Sequence, residues 1–188
     1  MDEFELTYLA KEIPAEVFAS PSKEITDIYV PASAEHPLIR IRKSGPTSRR
    51  TPTMVGEVKY EITKKEPAKA NDSSHLIENT IPLTAEEYAD LSKLPGKRVS
   101  KIRYYYAYRD TTYEFDVFQE GLTGLVLIDV EFKTAAEKQA FQKPPFCLAD
   151  VTQEKFVAGG ILAGKGILGK NYSEIEADLA RFGYKKLS

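Results

Sequence analysis

The chain is poor in the side chains that most often carry chemistry by themselves. Its 188 residues include one cysteine, two histidines and no tryptophan. Cys147 alone cannot close an internal disulfide, an economy that fits a reducing cytoplasm. With only Cys147, His36 and His75 as soft or borderline ligands, a zinc cage is disfavoured. A strong excess of one charge is also missing. The 26 Lys and Arg against 28 Asp and Glu leave a formal net charge of -2, which argues against a general nucleic-acid or membrane binder. No apolar run approaches the roughly 18 to 20 residues of a membrane-spanning helix. The amino terminus enters an acidic, strand-like stretch directly, so secretion and membrane insertion are both disfavoured. At 42% hydrophobic and 29% charged residues, the expectation is one soluble domain over 1–188 with enough chain for a real core.

What the chain has is charge in pairs. Residues 121–132, GLTGLVLIDVEF, form an apolar, strand-forming run that ends with Asp129 and Glu131 on either side of Val130. In an extended chain alternate side chains share a face, so the two acids lie opposite Ile128, Val130 and Phe132. One such strand describes any sheet edge facing water. The spacing recurs, however, in Glu3 and Glu5, Arg40 and Arg42, Lys101 and Arg103, and Glu114 and Asp116. Each pair has one sign and stands opposite aliphatic or aromatic residues. A closed barrel separates the two faces, with a polar lumen inside and the apolar face packed under helices outside. The expected fold is therefore α+β: an eight-stranded antiparallel closed β-barrel, or tunnel, with a few helices packed outside.

Further strands are expected at 3–10, 25–30, 37–43, 55–64, 75–82, 98–109 and 111–118, the last two joined near Asp110. Pro14 suits the first turn of a short helix over 14–19. Thr84 and Glu87, Thr134 and Glu137, and Ser173 and Glu176 stand at capping-box spacing and predict three helix starts. Residues 44–53 and 65–74 read as loops, and Arg49 and Arg50 as solvated loop residues.

Opposed rows of basic and acidic side chains inside a barrel are costly unless compensated. Polyphosphate with a divalent metal supplies that compensation, because guanidinium and ammonium groups hold phosphate oxygens while carboxylates hold Mg²⁺ or Mn²⁺. These residues resemble the CYTH domain superfamily, the triphosphate tunnel metalloenzymes. Glu3-Phe4-Glu5 looks like the opening of its ExExK motif. Leu38-Ile39-Arg40-Ile41-Arg42, Thr63-Lys64, Glu78 before Ile81, Lys101-Ile102-Arg103, Phe115-Asp116-Val117-Phe118, residues 124–131 and Asp150-Val151-Thr152 follow in family order. The resemblance implies hydrolysis of inorganic triphosphate or a small organic triphosphate with Mg²⁺ or Mn²⁺. It assigns Arg40, Arg42, Lys64, Lys101 and Arg103 to phosphate, and Glu78, Asp116, Asp129 and Glu131 to the metal. Glu3 and Glu5 would bind a second metal or orient the attacking water. The chain departs from the pattern at Thr7, where the motif has lysine, in Ser73-Ser74-His75, where an arginine is common, and at Asp129, where glutamate is usual. Lys11 has the parity to project inward if the first strand reaches it.

Other readings are weaker. Residues 159–166, GGILAGKG, match part of a phosphate-binding loop, but Gly166 stands where Ser or Thr is needed. Lys165 and Lys155 are better read as lysines near a tunnel mouth. Tyr104, Tyr106 and Tyr108 share a face that suits packing on the outer wall more than base stacking. His36 and His75 read as surface residues, unless His75 replaces the missing arginine. The alternatives in function are a noncatalytic polyphosphate-binding module and, within the same superfamily, an adenylate cyclase.

Overall fold

A computed structural model describes residues 2–47, 57–70, 72–164 and 170–187. The strands are β1 (Asp2–Ala10), β2 (Ser22–Val30), β3 (Ile39–Gly45), β4 (Lys59–Pro67), β5 (His75–Leu83), β6 (Lys97–Tyr108), β7 (Thr111–Phe118), β8 (Val126–Phe132) and β9 (Cys147–Asp150). They pair in the order β5-β4-β3-β2-β6-β7-β8-β1-β9, and a further β5–β1 pairing closes the first eight into a ring. All of these pairings are antiparallel. The closing seam is short, from Asp2↔Ile77 to Phe4↔His75. Short β9 pairs with the other half of β1, from Tyr8↔Asp150 to Ala10↔Cys147.

The alternation seen in sequence sorts side chains between shell and lumen. The outward residues Tyr8, Ile102, Tyr104, Tyr113, Phe115, Ile128 and Val130 form a buried cluster with Val17, Phe146 and Cys147. Phe146 meets Tyr113 edge-on at 5.1 Å between ring centroids, and Phe18 meets Tyr104 at 5.5 Å. A fully buried large apolar side chain contributes roughly 1.5–3 kcal/mol, so this face of the barrel is fastened by aromatic burial. Tyr106 and Tyr108 pack against the same cluster, as expected for an outer wall. On the opposite wall Ile28, Ile41 and Val30 are covered by Tyr88 and Leu91 of α1 (Ala85–Leu91).

The inward face changes character toward one end. Past Thr7 it continues to Leu9, past Asp129 to Leu127, past Asp116 to Phe118, and past Lys101 to Val99. These residues join Phe156, Val157, Leu162 and Leu179 in a buried apolar cluster. The residues come from the segment around α3 (Gly159–Leu162) and from α4 (Glu176–Ala180), so the carboxyl-terminal part of the chain stoppers the charged lumen.

Local signals held with instructive shifts. At Thr84 both halves of the capping box form, Glu87 N to Thr84 Oγ1 at 3.2 Å and Thr84 N to Glu87 Oε2 at 2.7 Å. Before α2 (Ala135–Ala140) only one half forms, because the Glu137 carboxylate accepts from Lys133 N instead of Thr134 N. The third cap is Asn171 with Glu174, not Ser173 with Glu176; a 3-10 turn at Tyr172–Glu174 precedes α4, and the same three-residue spacing exists two positions earlier. Residues 14–19 form a 3-10 helix at Ala15–Ala19, where Val17 N bonds Pro14 O and Ser20 N bonds Val17 O. The β6–β7 hairpin turns at Arg109 and Asp110, with Arg109 at φ 54°.

Candidate active site in the tunnel

Of the eleven site residues expected from sequence, ten line one cavity of about 360 Å³. The exception is Lys64. Its side chain pairs with Glu66 at 3.0 Å and both are about half exposed, because the pleat of β4 turns Glu61, Thr63 and Lys65 inward and Lys64 outward, opposite Ile39. Lys65 is the inward cation. It donates to Glu3 at 2.6 Å and pairs with Glu78 at 2.9 Å and Glu5 at 3.9 Å. Burial works against its charge, but Glu5 and Glu3 hold its pKa above the ordinary lysine value.

Two further ion-pair groups fix the basic side chains. Arg42 on β3 grips Asp27 on β2 with both ends of its fork, Nε to Oδ1 at 2.6 Å and a terminal nitrogen to Oδ2 at 2.8 Å. The registers that pair Arg42 with Asp27 and Asp27 with Val99 bury the carboxylate. Burial opposes its ionisation, yet Arg42 lowers its pKa to about 2. Asp116 on β7 accepts from Arg103 Nε at 2.7 Å, from a second Arg103 nitrogen at 2.6 Å and from Lys101. Burial raises its pKa, but Arg103 and Lys101 overcome this and hold it well below the usual range. Arg103 also binds Glu114 and, at 3.0 Å, Asp129. Arg40 differs from these: among the described residues it has no carboxylate within ion-pair distance, and its Nε is buried without a hydrogen-bond partner.

The carboxylates assigned to metal do not assemble as expected. Asp116 is the counter-ion of Arg103 and Lys101, and Glu78 pairs with Lys65 and accepts from Thr80. Asp129 accepts from Thr7 Oγ1 at 2.8 Å as well as from Arg103. The carboxylates that do converge are Glu3, Glu5 and Glu131, with one oxygen of each within 4.8 Å of the others. The reason is register: β1 and β8 pair Glu5 with Glu131. Face parity was legible in sequence, whereas which acids meet across strands was not. Burial, then Glu114 and Glu3, raise the Glu131 pKa. Burial, then Glu5 and Asp116, push Asp129 up to about 7.

Thr7, where the superfamily motif has lysine, is a hydrogen-bond donor to Asp129. Lys11 does not supply the missing charge, since it is exposed beyond the end of β1. His75 does not supply it either, because its ring stacks on Phe4, 4.4 Å between centroids, on the outer face. Gly159 and Gly160 follow a 3-10 turn at Lys155–Val157 instead of the strand a phosphate-binding loop needs. Lys165, Gly166, Arg49 and Arg50 lie outside the described residues. Sequence reasoning missed Asp27, Glu61 and Lys65. Glu61, Thr63 and Lys65 repeat with period two, so phasing β4 on them instead of on Lys64 would have found the cation.

Eight carboxylates and six Lys or Arg side chains among the described residues line the cavity. A closed antiparallel ring of this kind is also the fold of solved structures that the chain resembles. The chain superposes on a crystal structure of the inorganic triphosphatase NE1496 with a TM-score of 0.56 and 24% identity, over 89% of this chain and 97% of that one. A second crystal structure, described as the hypothetical protein NE1496, gives a TM-score of 0.55 at 24% identity, over 86% and 97%. In sequence, 61 residues are 41% identical to an inorganic triphosphatase of Nitrosomonas europaea, a match that takes in 32% of this chain and 40% of that protein. No family model matches the chain.

Proposed function

We propose that the tunnel hydrolyses inorganic triphosphate or a small organic triphosphate, with Mg²⁺ or Mn²⁺ held by Glu3, Glu5 and Glu131. The observation that carries this reading is the meeting, in one cavity, of a convergent carboxylate triad and an Arg40 guanidinium with a buried, unpartnered N–H. Carboxylates alone suit a cation and guanidinium groups alone suit an anion; a metal–polyphosphate complex satisfies both. Three hard oxygen donors in reach of one another fit a divalent ion of the Mg²⁺ type. Bound there, it would neutralise charge on the nonbridging phosphate oxygens.

The chain's own residues do the remaining work. Arg40 offers its free N–H to a phosphate oxygen. Lys101 and Arg103, held by Asp116, present positive charge without having to reorganise as the phosphoanhydride bond breaks. Water attacks the terminal phosphorus in line and releases orthophosphate, the leaving oxygen taking the electron pair. Asp129, a lumen-facing carboxylate beside Thr7 and Arg103, is placed to accept the proton of that water.

Release of phosphate from inorganic triphosphate, measured with Mg²⁺, with Mn²⁺ and with chelator, tests the reading. Glu131→Gln should lower metal-dependent turnover on the order of a hundredfold while the circular dichroism spectrum is unchanged. Undiminished turnover in that variant would remove the triad from the mechanism. A noncatalytic phosphate-binding module is the second reading, favoured by the neutral Thr7; it predicts triphosphate binding with no phosphate release under any metal.

A further inference from the structure

One edge of β1 crosses a gap between two ladders, and the gap falls at the carboxylate triad. β1 pairs with β5 up to Phe4↔His75 and with β9 from Tyr8↔Asp150, so Glu5, Leu6 and Thr7 are held on that edge by loops. Glu5 N donates to Ser74 O at 3.2 Å, Thr7 N to Thr152 Oγ1 at 3.0 Å, and Val151 N to Thr7 O at 2.9 Å. On its other edge β1 pairs Glu5 with Glu131 of β8. The position of the Glu5 carboxylate therefore depends on where the Ser74 carbonyl is held.

That carbonyl is fixed from outside the ring. Lys138 of α2 donates from Nζ to Ser74 O at 3.2 Å and to Ser74 Oγ at 2.5 Å. Ser74 Oγ donates in turn to Asp72 Oδ1 at 2.6 Å, and the same carboxylate oxygen accepts from Ser74 N at 3.0 Å. Gln153, from the segment after β9, accepts from Ser73 N at 3.0 Å and donates to Asp72 Oδ1 at 3.3 Å. The Ser74 hydroxyl is buried between an ammonium and a carboxylate, so both of its hydrogen bonds are charge-assisted, a kind roughly twice as strong as neutral ones. Lys138 Nζ also stands over the Phe4 ring, 5.7 Å from its centroid, and Phe4 lies between Glu3 and Glu5. Lys138, Ser74 and Asp72 are not part of the cavity lining.

Resting on the metal-holding triad proposed above, we propose that Lys138 is a positioning residue: through Ser74, with Asp72 as counter-ion, it fixes the β1 backbone at Glu5 and keeps Glu3, Glu5 and Glu131 in reach of one divalent ion. Lys138 touches neither phosphate nor metal. Its effect passes through one backbone hydrogen bond, from Glu5 N to Ser74 O. Ions of the Mg²⁺ type tolerate little departure from their preferred ligand geometry, and partners that orient metal ligands change affinity by about 10–100-fold.

The test is calorimetric binding of Mn²⁺ without substrate, together with amide exchange at residue 5, in the wild type, Lys138→Met, Lys138→Arg, Asp72→Asn and Glu131→Gln. Methionine keeps an unbranched apolar stem over Phe4 and removes the donor, and arginine restores a donor. Lys138→Met should weaken Mn²⁺ about tenfold and speed exchange of the Glu5 amide, with Lys138→Arg recovering most of both. Asp72→Asn should act in the same direction, and the double variant with Lys138→Met should lose less than the product of the two single losses, because both act through Ser74. Binding of inorganic triphosphate in chelator should stay within about twofold, since Arg40 and Arg103 are held by other strands; Lys93→Ala on the outer surface is the control with unchanged Mn²⁺ binding. Faster exchange with unchanged Mn²⁺ affinity would make Lys138 a fastener of the barrel alone and overturn the proposal, as would equal losses of Mn²⁺ and metal-free triphosphate binding. If Glu131→Gln weakens Mn²⁺ and Lys138→Met does not, only the positioning role falls. If Glu131→Gln binds Mn²⁺ as the wild type does, the metal is not at the triad and both readings fall. A protein that shows the expected Mn²⁺ losses but releases no phosphate defeats the triphosphatase reading and keeps the positioning role.

Discussion

At the scale of single residues, the tunnel depends on buried charges that tolerate one another only in pairs. Asp27 is the clearest case, with a carboxylate 2% exposed held by the Arg42 fork. Removing one partner leaves the other buried and unpaired, so Asp27→Asn should cost about 3–5 kcal/mol in urea unfolding. The sign of its pH dependence follows from the depressed pKa, about 2 in the fold against an ordinary value of 3.8. The contribution is complete above the unfolded value and is lost as pH falls through the folded one. The stability gap between wild type and Asp27→Asn should therefore narrow by about 2 kcal/mol between about pH 4 and about pH 2. A gap that stays constant across that window would mean Asp27 is not ionised in the fold. Asp27 could not be singled out from ITDIYV, where one acid in a β-rich run also describes a solvent-facing position.

At the scale of elements, a strand's phase decides which side chains have chemistry available to them. Lys64 and Lys65 are neighbours of the same type, yet one meets solvent and Glu66 while the other sits among Glu3, Glu5 and Glu78. Lys64→Ala should leave triphosphate affinity within about twofold, as for other exposed ion pairs of small energy. Lys65→Ala should lower stability measurably and change metal and triphosphate binding, since three carboxylates then face one another without their shared cation. Equal effects of the two substitutions on binding would contradict the assigned phase. Helix starts show the same limit on a smaller scale. Thr84 caps where its spacing predicts, while the cap expected at Ser173 falls to Asn171, because two acceptable partners three residues apart compete and only packing chooses.

At the scale of the whole molecule, closure makes the tunnel, and closure rests on its shortest seam. The β1–β5 register spans three residue pairs, from Asp2 to Phe4, while β2 and β6 pair from Ser22 to Tyr29. Amide hydrogen exchange should be fastest among the ring strands at residues 3, 4, 76 and 77, with β2 and β6 protected close to the global unfolding limit. Uniform protection around the ring would show that the seam is held by more than its ladder. Bound triphosphate, touching strands on both sides of the seam, should raise protection there.

Several features were fixed by the amino-acid order alone. Period-two charge pairs set one face of a strand against an apolar other, and five such strands lead to a closed ring with a charged interior. Local order also placed the β6–β7 turn and the Thr84 cap, because these depend on neighbours within a few residues. Tertiary structure alone decided which acids converge, that Asp116 serves Arg103 and Lys101 while Glu131 joins Glu3 and Glu5, and that Lys65 replaces Lys64. It also brought the carboxyl-terminal segment against the β2–β3 loop. The physical reason is that alternation assigns a side chain to a face, whereas register, barrel shear and long-range packing assign it a depth and a partner.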